Sequence, residues 1–218
     1  MNFIGSDMAW SENNPSGLAA IKGDSREGNL ERIETGTDDE ELLEFVNGVS
    51  GDEPAIITID APLKVPNEEG RRPAEEVVGK LFSSYNAGAH PANRKRLSQW
   101  TDRVRGEEIV QKLEDEGFIH SPEIEEQEYC RKVFEVYPHP SMVALFNLDE
   151  IIKYKKKSGR DYETVWSEFR RLQRHLKELK DSIPSLKPPQ LLETNPEDLR
   201  VKALNVYEDK LDAFCCAY

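Results

Sequence analysis

The sequence contains little cysteine and no long apolar run. Its 218 residues include three cysteines, Cys130, Cys215 and Cys216, whose odd number and spacing match neither a disulfide framework nor a CxxC metal site. Thiols of this kind are typically reduced and buried in a cytoplasmic protein, which is the location we expect. No stretch approaches the ~18 apolar residues that span a membrane, and the N-terminus lacks a basic region followed by an apolar one. We therefore expect no membrane partner.

Positive charge is also scarce. The chain has 29 Lys and Arg against 42 Asp and Glu, a net charge of −13. This balance argues against a non-specific binder of duplex DNA, because such proteins neutralise many phosphates. It still permits a nucleic-acid enzyme, since local patches and bound cations set the field at a site. One basic patch lies between residues 153 and 180, where ten Lys and Arg accompany four Asp and Glu and give a local charge of +6.

Motifs of several common enzyme classes are missing. The chain has no GxxxxGKS/T or GxGxxG loop, which weighs against P-loop and dinucleotide-binding enzymes. It has no GxSxG sequence, so the nucleophile elbow of an α/β-hydrolase has no support. The four histidines show no HExxH spacing, and surface or loop roles are the simplest interpretation of them.

The most informative feature that is present is the apolar run at residues 55–63, which contains Asp60. A continuous run of this kind predicts a strand buried on both faces in the middle of an α/β sheet. Asp60 lies where that strand would leave the sheet, and open α/β sheets build their sites at the carboxyl ends of strands. A second predicted strand, residues 2–7, also ends on an aspartate, Asp7. Two central strands that end in aspartates suggest a metal site.

Apolar periodicity and turn residues give the order of the elements. The predicted strands are residues 2–7, 17–22, 30–34, 55–60 and 131–137, and the predicted helices are residues 37–48, 74–83, 101–116 and 196–218, with a partly helical segment at 154–180. Thr37 followed by Glu40 predicts a capping box at the first helix. Three antiparallel strands followed by two strands in right-handed crossovers is the order of an RNase H-like fold. We therefore predict an α/β protein with a mixed five-stranded sheet flanked by helices, in which the first strand lies beside the fourth.

A long polar segment follows the fourth predicted strand, at about residues 64–100. It is too long for an ordinary connection, so it is a functional loop or an insertion. We expect residues 1–218 to form a single domain elaborated by this insertion.

The last predicted helix supplies a third acidic element. Asp209 and Asp212 are three residues apart and share one helical face. Carboxylates from two strand ends and this helix could hold one or two Mg²⁺ or Mn²⁺ ions, which prefer hard oxygen ligands. Two such ions about 4 Å apart activate water and stabilise the leaving oxygen in phosphodiester cleavage. Each acid also has a plainer interpretation, as a turn residue or as part of a solvated helix face.

Six short motifs resemble, in order along the chain, the family known as domain of unknown function 429. The motifs are residues 5–11 (GSDMAWS), 59–63 (IDAPL), 72–75 (RPAE), 134–139 (FEVYPH), 154–155 (YK) and 211–217 (LDAFCCA). The resemblance covers essentially the whole chain. The family is described as predicted nucleases with an RNase H fold.

This resemblance implies a Mg²⁺- or Mn²⁺-dependent nuclease that hydrolyses phosphodiester bonds of a nucleic acid by a two-metal carboxylate mechanism. In RNase H-like nucleases such as the RuvC resolvases, acids lie on the first strand, near the fourth strand and on the last helix. Those places correspond to Asp7, Asp60 and Asp212. Glu135 is implied as an additional catalytic acid or as a partner of the ligands, and Glu75 as a residue near the same end of the sheet.

Arg72, Lys155 and the basic region at residues 153–180 are expected to contact phosphates, although a solvated helix face explains most of that region better. Two other functions stay open. The first is a non-catalytic RNase H-like binding or regulatory module whose acids hold no metal. The second is a small-molecule phosphotransferase of the actin-like superfamily, although the residues after Asp7 lack the glycine and hydroxyl pattern of its phosphate loop.

Overall fold

The structure is a computed structural model that describes residues 1–9, 14–97, 103–125 and 128–218. Within these residues the chain alternates strands and helices in an α/β order. The strands are β1 (Asn2–Asp7), β2 (Ser16–Gly23), β3 (Glu27–Gly36), β4 (Ala55–Ile59), β5 (Ile119–His120), β6 (Arg131–Glu135) and β7 (Ser185–Leu186). The helices are α1 (Asp39–Ser50), α2 (Pro73–Phe82), α3 (Arg94–Leu97), α4 (Arg105–Asp115), α5 (Pro138–Leu145), α6 (Tyr162–Glu178) and α7 (Val201–Ala217).

The strands form one mixed sheet in the order β5-β6-β4-β1-β2-β3-β7. β1, β2 and β3 are antiparallel, whereas β4, β6 and β5 continue from β1 as parallel neighbours and β7 runs parallel to β3. The predicted adjacency of the first and fourth strands is confirmed, since Ser6 pairs with Ile59. The prediction of five strands is wrong, because the described residues contain seven. The two additional strands, β5 and β7, have two residues each, which is too short to produce an alternating pattern in the sequence.

Helices cover both faces of the sheet. Alternate residues of β2 point to opposite layers, so that Ala19 and Ile21 pack with α6 and α7, whereas Leu18 and Ala20 pack with α1 and α4. All five residues of β4 are buried, as the continuous apolar run predicts. β4 therefore lies inside the protein, with its carboxyl end at the same edge of the sheet as that of β1.

Two glycines allow α7 to approach the sheet closely. A Cβ atom at Gly5 in β1 would lie 2.1 Å from the carbonyl oxygen of Ala213, and one at Gly17 in β2 would lie 1.9 Å from the carbonyl oxygen of Asp209. Both distances are far shorter than van der Waals contact, so a side chain at either position would displace the helix. Because Gly5 and Gly17 have no side chains, the backbone of α7 can pack directly against β1 and β2.

A buried ion pair connects α1, α4 and the segment that follows β1. Arg105 Nε donates to Asp39 Oδ1 at 2.7 Å, and both side chains are 4% exposed. Nη1 of the same arginine donates to the carbonyl oxygen of Ala9 at 2.6 Å. Because a buried charge without its partner is costly, this pair constrains where the chain runs after Asp7.

The N-cap of α1 lies one residue later than predicted. Asp38 caps the helix, and its Oδ1 accepts a hydrogen bond from the N–H of Glu41 at 2.9 Å. Glu41 Oε2 in turn accepts from the N–H of Thr37 at 2.6 Å. The predicted capping box of Thr37 and Glu40 is therefore wrong. The sequence offers two overlapping patterns, and aspartate is at least as good an N-cap as threonine.

The segment at residues 64–100 contains α2 and α3, and α2 agrees with its predicted bounds to within one residue. The helix predicted from Thr101 begins at Arg105. The predicted start of this helix lies outside the described residues, because residues 98–102 are not among them. The same holds for residues 10–13, between β1 and β2, which include the end of the first motif. No helix in the described part of the chain is both long and apolar enough to cross a membrane.

We expect Gly5→Ala to lower the free energy of unfolding by about 3 kcal/mol, because the new methyl group would force α7 away from β1. The matched control is Gly48→Ala on the exposed face of α1, where the nearest atom to a new Cβ is the end of the Arg32 side chain, at 3.2 Å. This control should gain about 0.5–1 kcal/mol from helix propensity. Urea unfolding followed by circular dichroism measures both, and equal midpoints for Gly5→Ala and wild type would contradict the packing described.

Candidate active site

The carboxyl ends of β1 and β4 bring two aspartates together. Asp7 is the last residue of β1, and Asp60 directly follows β4. The strands are parallel neighbours, and the N–H of Asp60 donates to the carbonyl oxygen of Ser6 at 2.8 Å. Both aspartates line a cavity of about 640 Å³ at this edge of the sheet. This arrangement agrees with the prediction from the sequence that the two residues lie close together.

Helix α7 adds a third aspartate. The backbone of Asp209 lies over Gly17, which is the β2 partner of Asp7 in the strand register. One turn further along, Asp212 is 1% exposed and lies close enough for its charge to act on both Asp7 and Asp60. The three acids predicted from separate parts of the sequence thus converge where α7 crosses the ends of β1 and β4.

The environment of Asp7 and Asp60 disfavours their ionised forms. Burial, followed by the negative charge of Asp212, raises the pKa of Asp7 well above its ordinary value. The same two causes raise the pKa of Asp60 to about 7. Two further acids of α7 line the cavity, and burial is again the main cause that raises the pKa of Glu208 to about 7 and that of Asp209 to about 6. Near neutral pH this cluster therefore retains protons that ordinary carboxyl groups would have released.

Lys155 supplies the positive charge at the centre of the cluster. Its Nζ lies 2.6 Å from Asp212 Oδ2 and 3.6 Å from Glu208 Oε1. Burial alone would lower the pKa of this lysine, but the charges of Asp212, Asp7 and Glu208 outweigh burial and raise it. Lys155 therefore stays charged and also lines the cavity, where a bound anion would meet it.

Asp212 is oriented by a buried tyrosine. The hydroxyl of Tyr154 donates to Asp212 Oδ1, and Tyr154 is completely buried against Phe169, with a ring-centroid distance of 5.4 Å. The other oxygen, Oδ2, lies 2.6 Å from the ammonium nitrogen of Lys155. The two oxygens of Asp212 thus have different partners, a neutral hydroxyl and a cation.

The residues predicted to support the site form a separate network beside Asp60. Arg72 Nη1 and Nη2 donate to the two carboxylate oxygens of Glu135 at 2.8 and 2.6 Å. Its Nε donates to Glu75 Oε1 at 2.6 Å, and Nη1 also donates to the carbonyl oxygen of Lys64 at 3.0 Å. Four of the five N–H groups of Arg72 are therefore used within the protein. Glu135 lies near enough to raise the pKa of Asp60, but it is bound by Arg72.

Five of the ten Lys and Arg of the basic region form an ion pair with an acid of the same chain. Arg170 contacts Glu197, and Lys177 Nζ lies 2.9 Å from Glu193 Oε1. α6 buries one apolar stripe and exposes most of its charged residues. Apart from Lys155 and its neighbour Lys156, none of the Lys and Arg in residues 153–180 lines the carboxylate cavity. α6 itself carries four Lys and Arg and three Glu, a charge of +1, so most of the local charge of +6 lies in residues 153–161, before the helix.

A protein-family model supports the resemblance noted in the six motifs. The model described as "Protein of unknown function (DUF429)" matches residues 5–218. The chain belongs to the DUF429 family. No curated protein matches the chain. The description of the matching model names no activity, so the nuclease function implied by the motif resemblance stays a prediction.

Several residues of this DUF429 site were not assigned a role from the sequence. Glu208 lies one helical turn before Asp212, and the i, i+4 rule could have found it. Tyr154 precedes Lys155, but its contact with Asp212 depends on packing that no local pattern reveals. The ring of His139 packs between Tyr137 and Tyr154 with centroid distances of 6.0 and 5.9 Å. Burial lowers the pKa of His139 to about 4, so its ring is neutral at physiological pH.

We expect Asp60→Asn to raise the stability of the protein at alkaline pH in the absence of divalent cations. Because the pKa of Asp60 is raised from 3.8 to about 7 in the folded state, the wild type loses stability as pH rises through this window. Asparagine has no such proton to lose. The free energy of unfolding of the variant relative to the wild type should increase between pH 4 and 7 and reach a difference on the order of 3 kcal/mol at pH 8.

Urea unfolding in EDTA from pH 4 to pH 8 measures this difference. Asp52→Asn is the matched control. Asp52 is exposed and precedes the amino end of β4, whereas Asp60 follows the carboxyl end of the same strand. A gain for Asp60→Asn that is independent of pH, or equal to that of the control, would be inconsistent with a cluster of mutually repelling carboxylates.

Proposed function

We propose that this DUF429 protein is a Mg²⁺- or Mn²⁺-dependent nuclease with an RNase H-like domain. The observation that carries the proposal is that Asp7 and Asp60, at the ends of β1 and β4, line one cavity, while Asp212 of α7 is buried close enough behind them for its charge to act on both. The strand order β3-β2-β1-β4-β6 within the sheet supports the RNase H-like assignment, as does the family resemblance stated from the motifs. The substrate under this proposal is a nucleic acid whose phosphodiester bond enters the cavity.

The donor set fits a divalent cation. All three acids offer carboxylate oxygens, which hard cations prefer. Burial and then the negative charge of Asp212 raise the pKa values of Asp7 and Asp60, and a bound cation would neutralise the second of these causes. In the described residues no group of three His, Cys, Asp or Glu is arranged to hold an ion in this conformation. Binding therefore requires that the Lys155 ammonium withdraw from Asp212.

Asp7, Asp60 and Asp212 would hold the cation. When bound, Mg²⁺ or Mn²⁺ would supply an activated water and stabilise the leaving oxygen. Tyr154 fixes the orientation of the Asp212 carboxylate by donating to Oδ1. Lys155, once displaced from Asp212, remains in the cavity wall, where its charge can contact a phosphate oxygen.

One observation favours a non-catalytic binding or regulatory module instead. The close contact of Lys155 with Asp212, at 2.6 Å, already neutralises part of the acidic cluster without a metal. If this ion pair is permanent, the acids serve the structure and the cavity binds a ligand by other groups. The two functions differ in whether cations bind to the aspartates.

We expect the wild type to cleave a nucleic acid in Mn²⁺ and to lose cleavage in EDTA. Asp7→Asn, Asp60→Asn and Asp212→Asn should each lower kcat/KM at least about 100-fold, equivalent to about 2.7 kcal/mol of transition-state stabilisation. Asp52→Asn is the control and should retain the wild-type rate. The assay uses single-stranded, duplex and branched oligonucleotides, and equal activity of wild type and Asp60→Asn would exclude the assigned role.

Metal titration by calorimetry separates the two candidate functions. A nuclease should show heat of Mn²⁺ binding that Asp60→Asn abolishes. A folded wild type that gives no heat at millimolar Mn²⁺ would favour the non-catalytic module.

A further inference from the structure

A second, smaller cavity lies beside the carboxylates. Its volume is about 150 Å³, it is open to solvent on one side, and its walls are the segment after β4, α2, residues 89–92 and the residues that follow β6. Most of its wall is apolar, with Pro62, Ala74, Val78, Val136 and Tyr137 among the lining side chains. None of these residues belongs to the acidic cluster, and the predicted metal site leaves the cavity without a role.

The two cavities share part of their walls. Asp60 and Tyr137 line both the carboxylate cavity and the apolar one. A molecule with a phosphate near Asp60 therefore has its neighbouring groups within reach of the second cavity. In a nucleic acid, the nearest apolar and planar group is the base of the nucleotide that carries the phosphate.

Hydrogen bonds hold the walls of this cavity in place. Arg72 connects α2 to β6 through Glu135 and to its own helix through Glu75. Glu75 is 4% exposed and its Oε2 also accepts from the N–H of Ala92 at 3.1 Å. Glu135 Oε2 accepts from the N–H of Leu63 at 3.1 Å. The cavity is thus largely formed before a ligand arrives, which is typical of binding sites.

We propose that this cavity binds one unpaired pyrimidine base of the nucleic acid whose phosphodiester bond occupies the carboxylate cavity. The inference rests on the proposed nuclease function. Volume selects the base, because an apolar cavity of about 150 Å³ in another protein holds a single benzene ring. The ring of Tyr137 provides an aromatic surface for stacking, and Arg72 and Glu135 provide polar groups at the edge of the cavity. A base that is paired in a duplex cannot enter, so the substrate is single-stranded or unpaired at this position.

The first test measures binding of uncharged nucleosides without a metal. Saturation-transfer NMR and calorimetry should show thymidine bound at least about tenfold more tightly than adenosine, because the purine has two rings. Val78→Trp fills the cavity and should weaken thymidine binding about tenfold, as should Tyr137→Leu through lost stacking. The matched control is Val77→Trp, because Val77 is the preceding residue of α2, is 52% exposed and does not line the cavity.

The second test measures cleavage of three single strands in Mn²⁺: a thymidine 20-mer, an adenosine 20-mer and a 20-mer of abasic deoxyribose phosphates. The wild type should cleave the thymidine strand about tenfold faster than the other two. Val78→Trp should reduce cleavage of the thymidine strand to the abasic level and leave the abasic strand unchanged, which also shows that the variant is folded. Ala74→Phe, at an exposed position of the cavity wall, repeats the test if Val78→Trp does not fold.

The outcomes separate the base site from the nuclease activity. Thymidine binding that Val78→Trp weakens, without cleavage of any strand, supports the base site and contradicts the proposed nuclease. Cleavage that is equal for all three strands, or unaffected by both cavity-filling variants, overturns the base site and leaves the nuclease standing. Absence of nucleoside binding overturns the base site as well.

Discussion

The contact between α7 and the two central strands determines where the acidic side chains lie. Gly5 and Gly17 have no Cβ at the points where the helix crosses, and a Cβ there would come within 2.1 Å and 1.9 Å of its backbone. The hydroxyl of Thr58 in β4 adds a 2.7 Å hydrogen bond to the carbonyl oxygen of Cys216. Because these contacts involve the helix backbone itself, α7 cannot shift along the sheet without losing them. Asp212 is therefore held over the ends of β1 and β4 by the same packing that closes one face of the core.

The acidic cluster formed in this way opposes the stability of the fold. Burial and mutual repulsion raise the pKa values of Asp7 and Asp60, so their ionisation favours unfolding. Lys155 offsets part of that cost through its contact with Asp212, and Tyr154 satisfies the other oxygen. Clusters of carboxyl groups with strongly raised pKa values are common at functional sites. The proposed cation would remove the repulsion that the lysine removes only in part.

Local patterns in the sequence were sufficient for the central strands and for the acids at their ends. The buried run at residues 55–63 predicted β4, and strand order placed Asp7 beside Asp60. The N-cap of α1 was predicted wrongly because Thr37 and Asp38 are both good capping residues, and the structure uses Asp38. The strands β5 and β7 were missed because two residues are too few to show an alternating pattern. The hydrogen-bond and ion-pair partners of side chains could not be predicted, because these contacts join segments that are far apart in the sequence.

The role of Arg72 illustrates this limit. The sequence analysis expects Arg72 to contact a phosphate, and the structure adds a pairing with Glu135, 63 residues away. The sequence contains both residues but no signal that one binds the other. Through this pair Arg72 fixes α2 against β6, so the segment at residues 64–100 contributes a cavity wall.

The negative charge of the chain limits how a nucleic acid can be recognised. At a net charge of −13, the surface gains little affinity from neutralising phosphates, and cations such as Arg170 and Lys177 already contact acids. Under the proposed function, binding must depend on contacts that need no positive surface, namely a base in the apolar cavity and a divalent cation at the carboxylates. A duplex offers the first contact only after a base pair opens and adds the phosphates of a second strand to an acidic surface. Both effects act in the same direction, so selectivity for unpaired strands would follow from the charge of the protein as well as from the size of its cavity.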